Sequence, residues 1–470
     1  MEYIAKTEAE RLNLRHLAQL IFHQSDKIEK ISAFDGEDSV EICIEGKTKS
    51  VRERVPLDLS LHASLARGKN AALGKAFFLA AKEFTDYTPP YGNLFGVRPV
   101  KVPLFYLEQG FEESKVTELL QKEFFVSQEK AILLTELAKK EASFAQTLGD
   151  RDGMLYVSIP FCPSRCNYCS FISASAPKHL ALIPSYLSLL KEEIKKAGVL
   201  FRKKEKKLRA IYIGGGTPGV LNEKELAELL TALEENFSFE DIKEYCVEIG
   251  RPDTVTKEKL DVLKSAGVQR ISINPQSTNN ATLSRIGRRH SAECYYEAME
   301  LAGKYVFSSV NCDLIAGLDG ETPKEFLASV EKVLSFAPEN LTIHALCQKR
   351  AAEKRSAFLS GAEFREAMDT AHTKCRESGL FPYYLYRQKN AVADLENLGF
   401  CKNGKECIYN IAMMEDLCDV LAVGAGAITK IVPRKKGGKI LRFAAYKYPY
   451  EYLSDPKKID ENLKELQEIL

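Results

Sequence analysis

The stretch Met154-Leu-Tyr-Val-Ser-Ile-Pro-Phe-Cys-Pro-Ser-Arg-Cys-Asn-Tyr-Cys-Ser-Phe171 joins an apolar run to three closely spaced cysteines. Cys162, Cys166 and Cys169 follow the spacing C-x3-C-x2-C, so one short loop can present three thiolates to a single compact cluster. A four-iron cluster that only transfers electrons normally has a thiolate on each iron. A loop with three thiolates leaves one iron open for a small molecule. Catalytic zinc sites differ from structural ones in the same way, because they keep one coordination position free of protein ligands.

Two other interpretations of these cysteines are open: a zinc knuckle, or three unrelated buried thiols. A zinc knuckle needs a fourth Cys or His at close spacing, and the next candidates, His179 and Cys246, do not have that spacing. The pattern therefore favours an iron–sulfur cluster with one open iron.

Strand-like and helix-like segments alternate regularly after Met154. The predicted strands are 155–159, 210–213, 245–249, 270–273, 310–315 and 341–345. The predicted amphipathic helices between them are 184–197, 223–236, 257–266, 292–302 and 323–336. The run Thr322-Pro-Lys-Glu325 predicts a capping box at the start of the last of these helices.

Strands that alternate with helices form a parallel sheet, and right-handed crossovers curl that sheet into a full or partial barrel. Ligands of such barrels bind at the carboxyl ends of the strands. The cysteine loop directly follows the first predicted strand. We therefore expect the cysteines to lie at the ligand-binding end.

The segments on either side of this alternation have different patterns. Residues 1–150 carry helical periodicity over 12–23, 61–84 and 115–148, and the run 40–45 alternates like a strand. Residues 347–470 combine a helical segment with strand-like ones. We expect an α/β protein with a mainly helical N-terminal domain of unknown role (1–150), a barrel (151–346) and an α+β C-terminal domain that covers the substrate (347–470).

The composition limits the classes of function. A formal charge of +1 over 470 residues argues against a dedicated nucleic-acid or anionic-membrane surface. The N-terminus lacks an apolar signal segment, and no run is long and apolar enough to span a bilayer. Twelve cysteines in such a chain indicate a reducing compartment rather than a disulfide framework. We expect a cytoplasmic protein that acts on a small molecule.

Several motifs after the cysteines carry chemistry of their own. Gly214-Gly-Gly-Thr-Pro218 ends the second predicted strand, and glycines there let the backbone approach a polar ligand, although a tight turn would explain them too. Glu248 ends the third strand, where it would bind ribose hydroxyls or form a structural ion pair. Gln276 and Arg288 follow the fourth strand and Asp313 lies in the fifth, so all three are expected at the same barrel mouth.

Taken together, the chain resembles the radical S-adenosylmethionine (SAM) superfamily, and within it the oxygen-independent coproporphyrinogen III oxidase (dehydrogenase) family, in particular its HemZ branch. Beyond the cysteine loop and the glycine run, the resemblance covers Gly96-Val-Arg-Pro99, Arg270-Ile-Ser-Ile-Asn-Pro-Gln276, Ile286-Gly-Arg-Arg-His290, Asn311-Cys-Asp-Leu-Ile-Ala-Gly-Leu318, His344-Ala-Leu-Cys-Gln-Lys-Arg350, Tyr386-Arg-Gln-Lys-Asn390, Glu396-Asn-Leu-Gly399, Gly404-Lys-Glu406 and Gly424-Ala-Gly-Ala-Ile428.

The resemblance implies a partial (βα)6 TIM-type barrel with a [4Fe-4S] cluster on Cys162, Cys166 and Cys169, and with SAM bound to the open iron. It implies SAM contacts at these positions: Tyr156, Gly215, Gly216, Thr217, Glu248, Gln276, Arg288 and Asp313. The implied reaction is the oxidative decarboxylation of two propionates of coproporphyrinogen III to vinyl groups. The implied partners are this tetrapyrrole and a one-electron donor such as flavodoxin or ferredoxin, and we expect a monomer.

Two positions depart from the pattern of the oxidases. Phe171 stands where they have a further cysteine, and Ser158 stands where they have His; both changes resemble HemZ and the heme-chaperone branch, HemW. The chain has no Trp, which argues against the His-Asn-x-x-Tyr-Trp heme segment of the chaperones, although His290 or His344 would be alternative heme ligands.

Three functions follow as hypotheses: coproporphyrinogen oxidation, heme binding and delivery, or radical SAM chemistry on another substrate. The candidates for pairing with propionates are Arg98, Lys349, Arg350, Arg387 and Lys389.

Overall fold

The computed structural model describes residues 1–22, 28–62, 64–94, 96–169, 174–175, 177–347, 361–388, 391–433 and 438–469. The chain forms two compact units, Met1–Ser143 and Phe144–Leu470. In the described part of the chain, no helix is long and apolar enough to cross a membrane.

The N-terminal unit combines a four-stranded sheet with helices. Its strands are β1 (Glu2–Ile4), β2 (Ile28–Asp35), β3 (Ser39–Gly46) and β4 (Ser50–Pro56). Its helices are α1 (Glu8–Phe22), α2 (Leu65–Ala81), α3 (Lys101–Glu108), α4 (Glu113–Phe124) and α5 (Gln128–Ala145). The strands lie in sequence order, with β1 parallel to β2 and the other pairs antiparallel. Helices α1 and α2 pack their apolar faces on this sheet, and Leu17, Ile31, Ile42 and Phe77 are fully buried between them.

Two details of this unit differ from the sequence predictions. Only the run that became β3 was predicted as a strand, whereas the structure has three more. The helical pattern over 115–148 is interrupted at Phe125, which adopts the left-handed conformation with φ of 56° and ends α4.

The six predicted barrel strands are confirmed. They are β5 (Asp152–Ile159), β6 (Lys207–Gly215), β7 (Glu244–Gly250), β8 (Arg270–Ile273), β9 (Ser309–Ala316) and β10 (Asn340–Ala345). They are neighbours in sequence order, and every adjacent pair is parallel. A parallel sheet with helical crossovers is the arrangement of a partial TIM-type barrel, as predicted.

Helices connect these strands on the outside of the sheet. They are α6 (Pro177–Leu180), α7 (Ile183–Lys203), α8 (Glu223–Asn236), α9 (Lys257–Ser265), α10 (Asn280–Arg285), α11 (Ala292–Ala302) and α12 (Pro323–Leu334). The capping box predicted for α12 is present: Thr322 accepts from the backbone N–H of Glu325, and the Glu325 carboxylate accepts from the N–H of Thr322.

The C-terminal elements add strands to both edges of the barrel sheet. They are α13 (Gly361–Glu377), β11 (Phe381–Arg387), β12 (Glu396–Cys401), α14 (Ile408–Glu415), β13 (Asp419–Val423), β14 (Ile428–Ile431), β15 (Leu441–Ala444), α15 (Pro449–Ser454) and α16 (Lys457–Ile469). Strand β12 pairs antiparallel with β10, and β13 pairs parallel with β5. The division of the chain at residues 150 and 346 into three domains stays a prediction, and the strands after residue 346 share the barrel's sheet.

The amino end of the barrel is filled by the start of α14. The Glu244 carboxylate accepts from the backbone N–H groups of Ile408 (2.9 Å) and Tyr409 (3.0 Å) and lies 3.4 Å from Nε of Arg270. A carboxylate at a helix N-terminus satisfies amides that have no partner within the helix. The buried Glu244 therefore fixes α14 inside the barrel and leaves the opposite, carboxyl end for ligands.

Candidate functional site

The cysteine loop begins where β5 ends, at the carboxyl end of the barrel. The backbone N–H of Cys162 donates to the carbonyl of Ala174 (3.1 Å), and the N–H of Ala174 donates back to Pro160 (2.8 Å). The N–H of Cys169 donates to the carbonyl of Cys166 (3.2 Å), which makes a tight turn between them. All three cysteines are partly exposed, and none of them is in a disulfide. The loop thus carries its thiols at the end of the barrel where ligands bind.

The segment after α10 supports the outer side of this loop. The backbone N–H of Asn167 donates to Ile286 (3.2 Å) and its side chain to Arg285 (3.0 Å), while the Ser164 hydroxyl donates to Gly287 (2.9 Å). Gly287 has a φ of 79°, and a Cβ there would lie 2.9 Å from the carbonyl oxygen of Arg165. Glycine is therefore required for this close approach.

The three thiols of the loop fit an iron–sulfur cluster, since a four-iron cluster takes each thiolate on a different iron. The Thr217 hydroxyl donates to Sγ of Cys162 (3.3 Å), so this sulfur has a hydrogen-bond donor within the protein.

The glycine run of β6 forms a cradle beside the first cysteine. A Cβ on Gly216 would lie 2.5 Å from the carbonyl oxygen of Phe161 and 3.0 Å from Sγ of Cys162. Gly215 has a φ of 108°, which L side chains rarely adopt. The backbone N–H of Thr217 donates to Phe161 (2.7 Å). The run is therefore a close-packed junction with the cysteine loop rather than an ordinary exposed turn.

Glu248 lies next to this cradle with two hydrogen-bond donors. It accepts from the Tyr212 hydroxyl and from Nδ2 of Asn274, each at 3.2 Å. Burial and the nearby Asp313 carboxylate raise the pKa of Glu248 to about 7. A ligand that donates hydrogen bonds would stabilise its charged form.

Asp313 belongs to a polar network that crosses four strands, β9 to β12. It accepts from Nδ2 of Asn311 (2.9 Å), and its Oδ2 lies 3.8 Å from Nε2 of His344. Nδ1 of His344 lies 3.1 Å from the Tyr386 hydroxyl and 3.3 Å from Oδ1 of Asn397. Burial lowers the pKa of His344, but Asp313, Asn397 and the charge of Glu248 together outweigh burial, and the pKa lies above its ordinary value. The network joins the barrel mouth to β11 and β12.

Gln276 and Arg288 face the same region. Gln276 has a φ of 67°, unusual for a residue with a side chain, and its N–H donates to the carbonyl of Asp313 (2.9 Å). Arg288 donates to the carbonyl of Asn274 (2.7 Å) and to the Tyr168 hydroxyl (3.2 Å). Although burial disfavours its charge, Tyr168 and Cys166 raise the pKa of Arg288, so it stays cationic beside the loop.

Three buried polar atoms at this mouth have no hydrogen-bond partner in the described part of the protein: Oδ1 of Asn274, Oε1 of Gln276 and Nε of Arg288. Buried polar atoms are rarely left unpaired in native proteins. The mouth therefore fits a polar ligand that supplies both donors and acceptors, as SAM does.

Tyr156 lies deeper, in an aromatic group on the barrel interior. Its ring is nearly parallel to those of Tyr212 (centroids 6.2 Å apart) and Tyr409 (6.0 Å). The structure thus brings the sequence-predicted residues of β6, β7 and β9 to the carboxyl end of the barrel, whereas Tyr156 of β5 packs against Tyr409 of α14.

Sequence reasoning assigned no role to several residues of this site. They are Asn274, Asn311, Tyr386 and Asn397. All four stand inside the motifs that carried the resemblance, which is the signal that could have found them.

Four predicted positions lie outside the described residues: Phe171, Lys349, Arg350 and Lys389. Of the other propionate candidates, Arg98 is in the N-terminal unit. Arg387 is buried and lies 2.5 Å from a carboxylate oxygen of Asp394. That partner already balances the charge of Arg387.

The chain is similar to several known proteins. The family model of the radical SAM superfamily matches residues 156–333. The oxygen-independent coproporphyrinogen-III oxidase-like protein HemZ of Bacillus subtilis (strain 168) is 37% identical over 394 residues, which is 82% of this chain and 78% of that protein. The heme chaperone HemW of Lactococcus lactis is 31% identical over 58% of this chain and 68% of that protein.

Among solved structures, the coproporphyrinogen III oxidase HemN of Escherichia coli, a radical SAM enzyme, matches with a TM-score of 0.54 at 23% identity, over 68% of this chain and 72% of that one. At this identity the match shows a shared fold.

Proposed function

Because the chain belongs to the radical SAM superfamily and, within it, to the HemZ-like family of oxygen-independent coproporphyrinogen III oxidase relatives, we propose that it oxidatively decarboxylates propionate side chains of coproporphyrinogen III to vinyl groups. The cofactors of the superfamily are a [4Fe-4S] cluster and SAM. One observation carries the proposal: three cysteine side chains and three buried polar atoms without a hydrogen-bond partner in the described residues share the carboxyl end of the barrel.

The proposal assigns a role to each group of residues. Cys162, Cys166 and Cys169 hold the cluster. The SAM contacts are Tyr156, Gly215, Gly216, Thr217, Glu248, Gln276, Arg288 and Asp313. When bound, the cluster and SAM supply the 5′-deoxyadenosyl radical that removes hydrogen from a propionate β-carbon.

The protein's own groups prepare the site for this chemistry. Gly216 packs closely against Cys162 and lets β6 approach the cysteine loop. Arg288 keeps its positive charge on the side of the loop that carries Cys166. Glu248 and Asp313 offer carboxylate oxygens to hydroxyl donors such as those of a ribose.

The proposed reaction also needs partners. A tetrapyrrole is the substrate, and a one-electron donor such as flavodoxin or ferredoxin reduces the cluster of a monomeric enzyme. None of the twelve cysteines is in a disulfide, which supports a reducing compartment such as the cytoplasm.

Heme binding and delivery of the HemW kind is the alternative that the relatives raise. The two histidines considered as heme ligands argue against it. The His290 side chain has no exposed surface, and both nitrogens of His344 face protein groups. Neither is placed to coordinate a heme that arrives from solvent.

The test is anaerobic incubation of reconstituted protein with SAM, dithionite and coproporphyrinogen III. We expect a vinyl-bearing product together with 5′-deoxyadenosine. 5′-Deoxyadenosine without product would indicate a different substrate, and a stable heme absorbance with neither would indicate heme delivery. Cys166→Ser should abolish both products, whereas Cys294→Ser, at a free cysteine outside the loop, should leave them unchanged. Zinc in place of iron in the purified protein would refute the proposal.

A further inference from the structure

Two exposed arginines flank the cysteine loop without an evident role in the site. Arg165 lies between the first two cysteines, and Arg289 directly follows the buried Arg288. The two segments that carry them are in contact, since Ser164 donates to the carbonyl of Gly287 (2.9 Å) and Asn167 to that of Ile286 (3.2 Å). Arg165 and Arg289 therefore share one surface, which we call the arginine rim.

The charges of the rim are not balanced locally. Neither guanidinium forms a hydrogen bond or an ion pair with any residue that the structure describes. The nearby carboxylate of Asp253 is already paired with Arg251, at 2.9 and 3.0 Å. In a chain whose formal charge is only +1, an unbalanced positive patch of this kind stands out. It creates a local field that attracts negatively charged partners.

The rim also lies beside an accessible part of the loop. Arg165 and Asn167 are exposed, and between them Cys166 is partly exposed. A protein that docks here comes close to this cysteine, whereas one that docks at the amino end of the barrel is separated from it by the strands and by α14.

We propose that the arginine rim is the docking surface for an acidic one-electron donor protein. This inference rests on the proposed function, because it requires a cluster on the loop. In the step that it serves, one electron leaves the donor and reduces the cluster, and no covalent bond is made or broken. A negatively charged face on the donor complements the two guanidinium groups and speeds encounter.

The experiment measures anaerobic cluster reduction by stopped flow, with a purified bacterial flavodoxin in its fully reduced form as the probe. Arg165→Glu/Arg289→Glu is compared with Lys243→Glu/Lys304→Glu, which makes the same charge change. Lys243 and Lys304 are exposed and precede β7 and β9, at the other end of the barrel. Dithionite, a small reductant that needs no docking surface, is the second electron source.

We expect the rim variant to be reduced by flavodoxin on the order of tenfold more slowly at low salt. The lysine variant should match the wild type, and dithionite should reduce all three proteins equally. The wild-type rate with flavodoxin should fall as salt is added, and Arg165→Lys/Arg289→Lys should retain most of it.

Equal flavodoxin rates in the rim variant and the wild type would overturn the proposal. So would an equal loss with dithionite, since that result means a damaged cluster. If the double charge reversal does not fold, Arg165→Gln/Arg289→Gln replaces it, with a smaller expected loss. A wild-type protein that dithionite cannot reduce would instead overturn the proposed function.

Discussion

Nε2 of His344 lies 3.8 Å from Oδ2 of Asp313, and this carboxylate favours the protonated form of the histidine. Oδ1 of Asn397 lies 3.3 Å from Nδ1 of His344 and also accepts from the N–H of Ala345, while Nδ2 of Asn397 donates to the backbone carbonyl of Tyr386. When both ring nitrogens of His344 carry protons, Nδ1 can donate to Asn397 while Nε2 faces Asp313.

His344→Gln tests this pairing through its pH dependence. The pKa of His344 is raised above 6.5, so its stabilisation is complete below that pH and is lost as pH rises through the folded-state pKa. We expect the variant's apoprotein to melt below the wild type at pH 6 and the gap to narrow at pH 9, measured by thermal denaturation. A gap that does not change with pH would contradict the assignment.

Glu248→Gln should have opposite effects on stability and on ligand binding. Because the pKa of Glu248 is raised to about 7, its ionisation opposes folding, and stability falls as pH rises from about 4.5 to 7. The amide should therefore stabilise the apoprotein by about 1–3 kcal/mol at pH 8. SAM affinity should fall about tenfold, because a charged acceptor is lost. Calorimetry and equilibrium dialysis measure the two effects, and unchanged SAM affinity would remove Glu248 from the SAM site.

Gly216→Ala should disturb the cysteine loop. The added methyl would meet the Phe161 carbonyl at 2.5 Å, and overpacking of this kind costs about 1–3 kcal/mol. We expect the reconstituted variant to bind less iron per chain. Gly303→Ala is the control, since its nearest contact would be an ordinary 3.4 Å. Equal iron content in both variants would show that the cradle tolerates a methyl group.

Glu244→Gln should loosen the helix that fills the amino end of the barrel. The substitution removes the charge that faces Arg270 in a buried environment, which costs about 3 kcal/mol in the free energy of unfolding. Denaturant unfolding of the apoprotein measures this loss. Glu228→Gln, which changes an exposed ion pair with Lys191, should show no measurable change. Equal stability of the two variants would mean that α14 is held by apolar packing alone.

The strands and helices of the barrel could be predicted because the patterns that specify them lie within short stretches of sequence. Parallel strands buried on both faces read as short apolar runs, and β8 was found with its bounds unchanged. Helix caps also depend on residues close together in sequence, as the capping box of Thr322 shows. In the N-terminal unit, β1 has three residues and β4 keeps most of its residues exposed or half-buried. Neither strand shows a clear alternation of apolar and polar residues, so the sequence did not predict them.

The candidate site could be predicted only in part. The cysteines and the glycine run lie in short motifs, whereas the roles of Asn274 and Asn397 depend on register. Asn397 reaches His344 because β12 pairs antiparallel with β10 at that position, a relation between segments far apart in sequence. The assignments of the cluster and SAM contacts themselves stay predictions, and the experiments above address them.

The pairing of β13 with β5 has a consequence for biosynthesis. Ser158 lies just before the cysteine loop begins. Its hydroxyl donates to the carbonyl of Ala425, which is 267 residues further along the chain. Strand β5, which precedes this loop, pairs with both β6 and β13. The pairing with β13 can therefore form only after the ribosome has synthesised most of the polypeptide. We expect iron to be loaded only after translation has passed β13, and a product that stops earlier to leave its thiols open to oxygen.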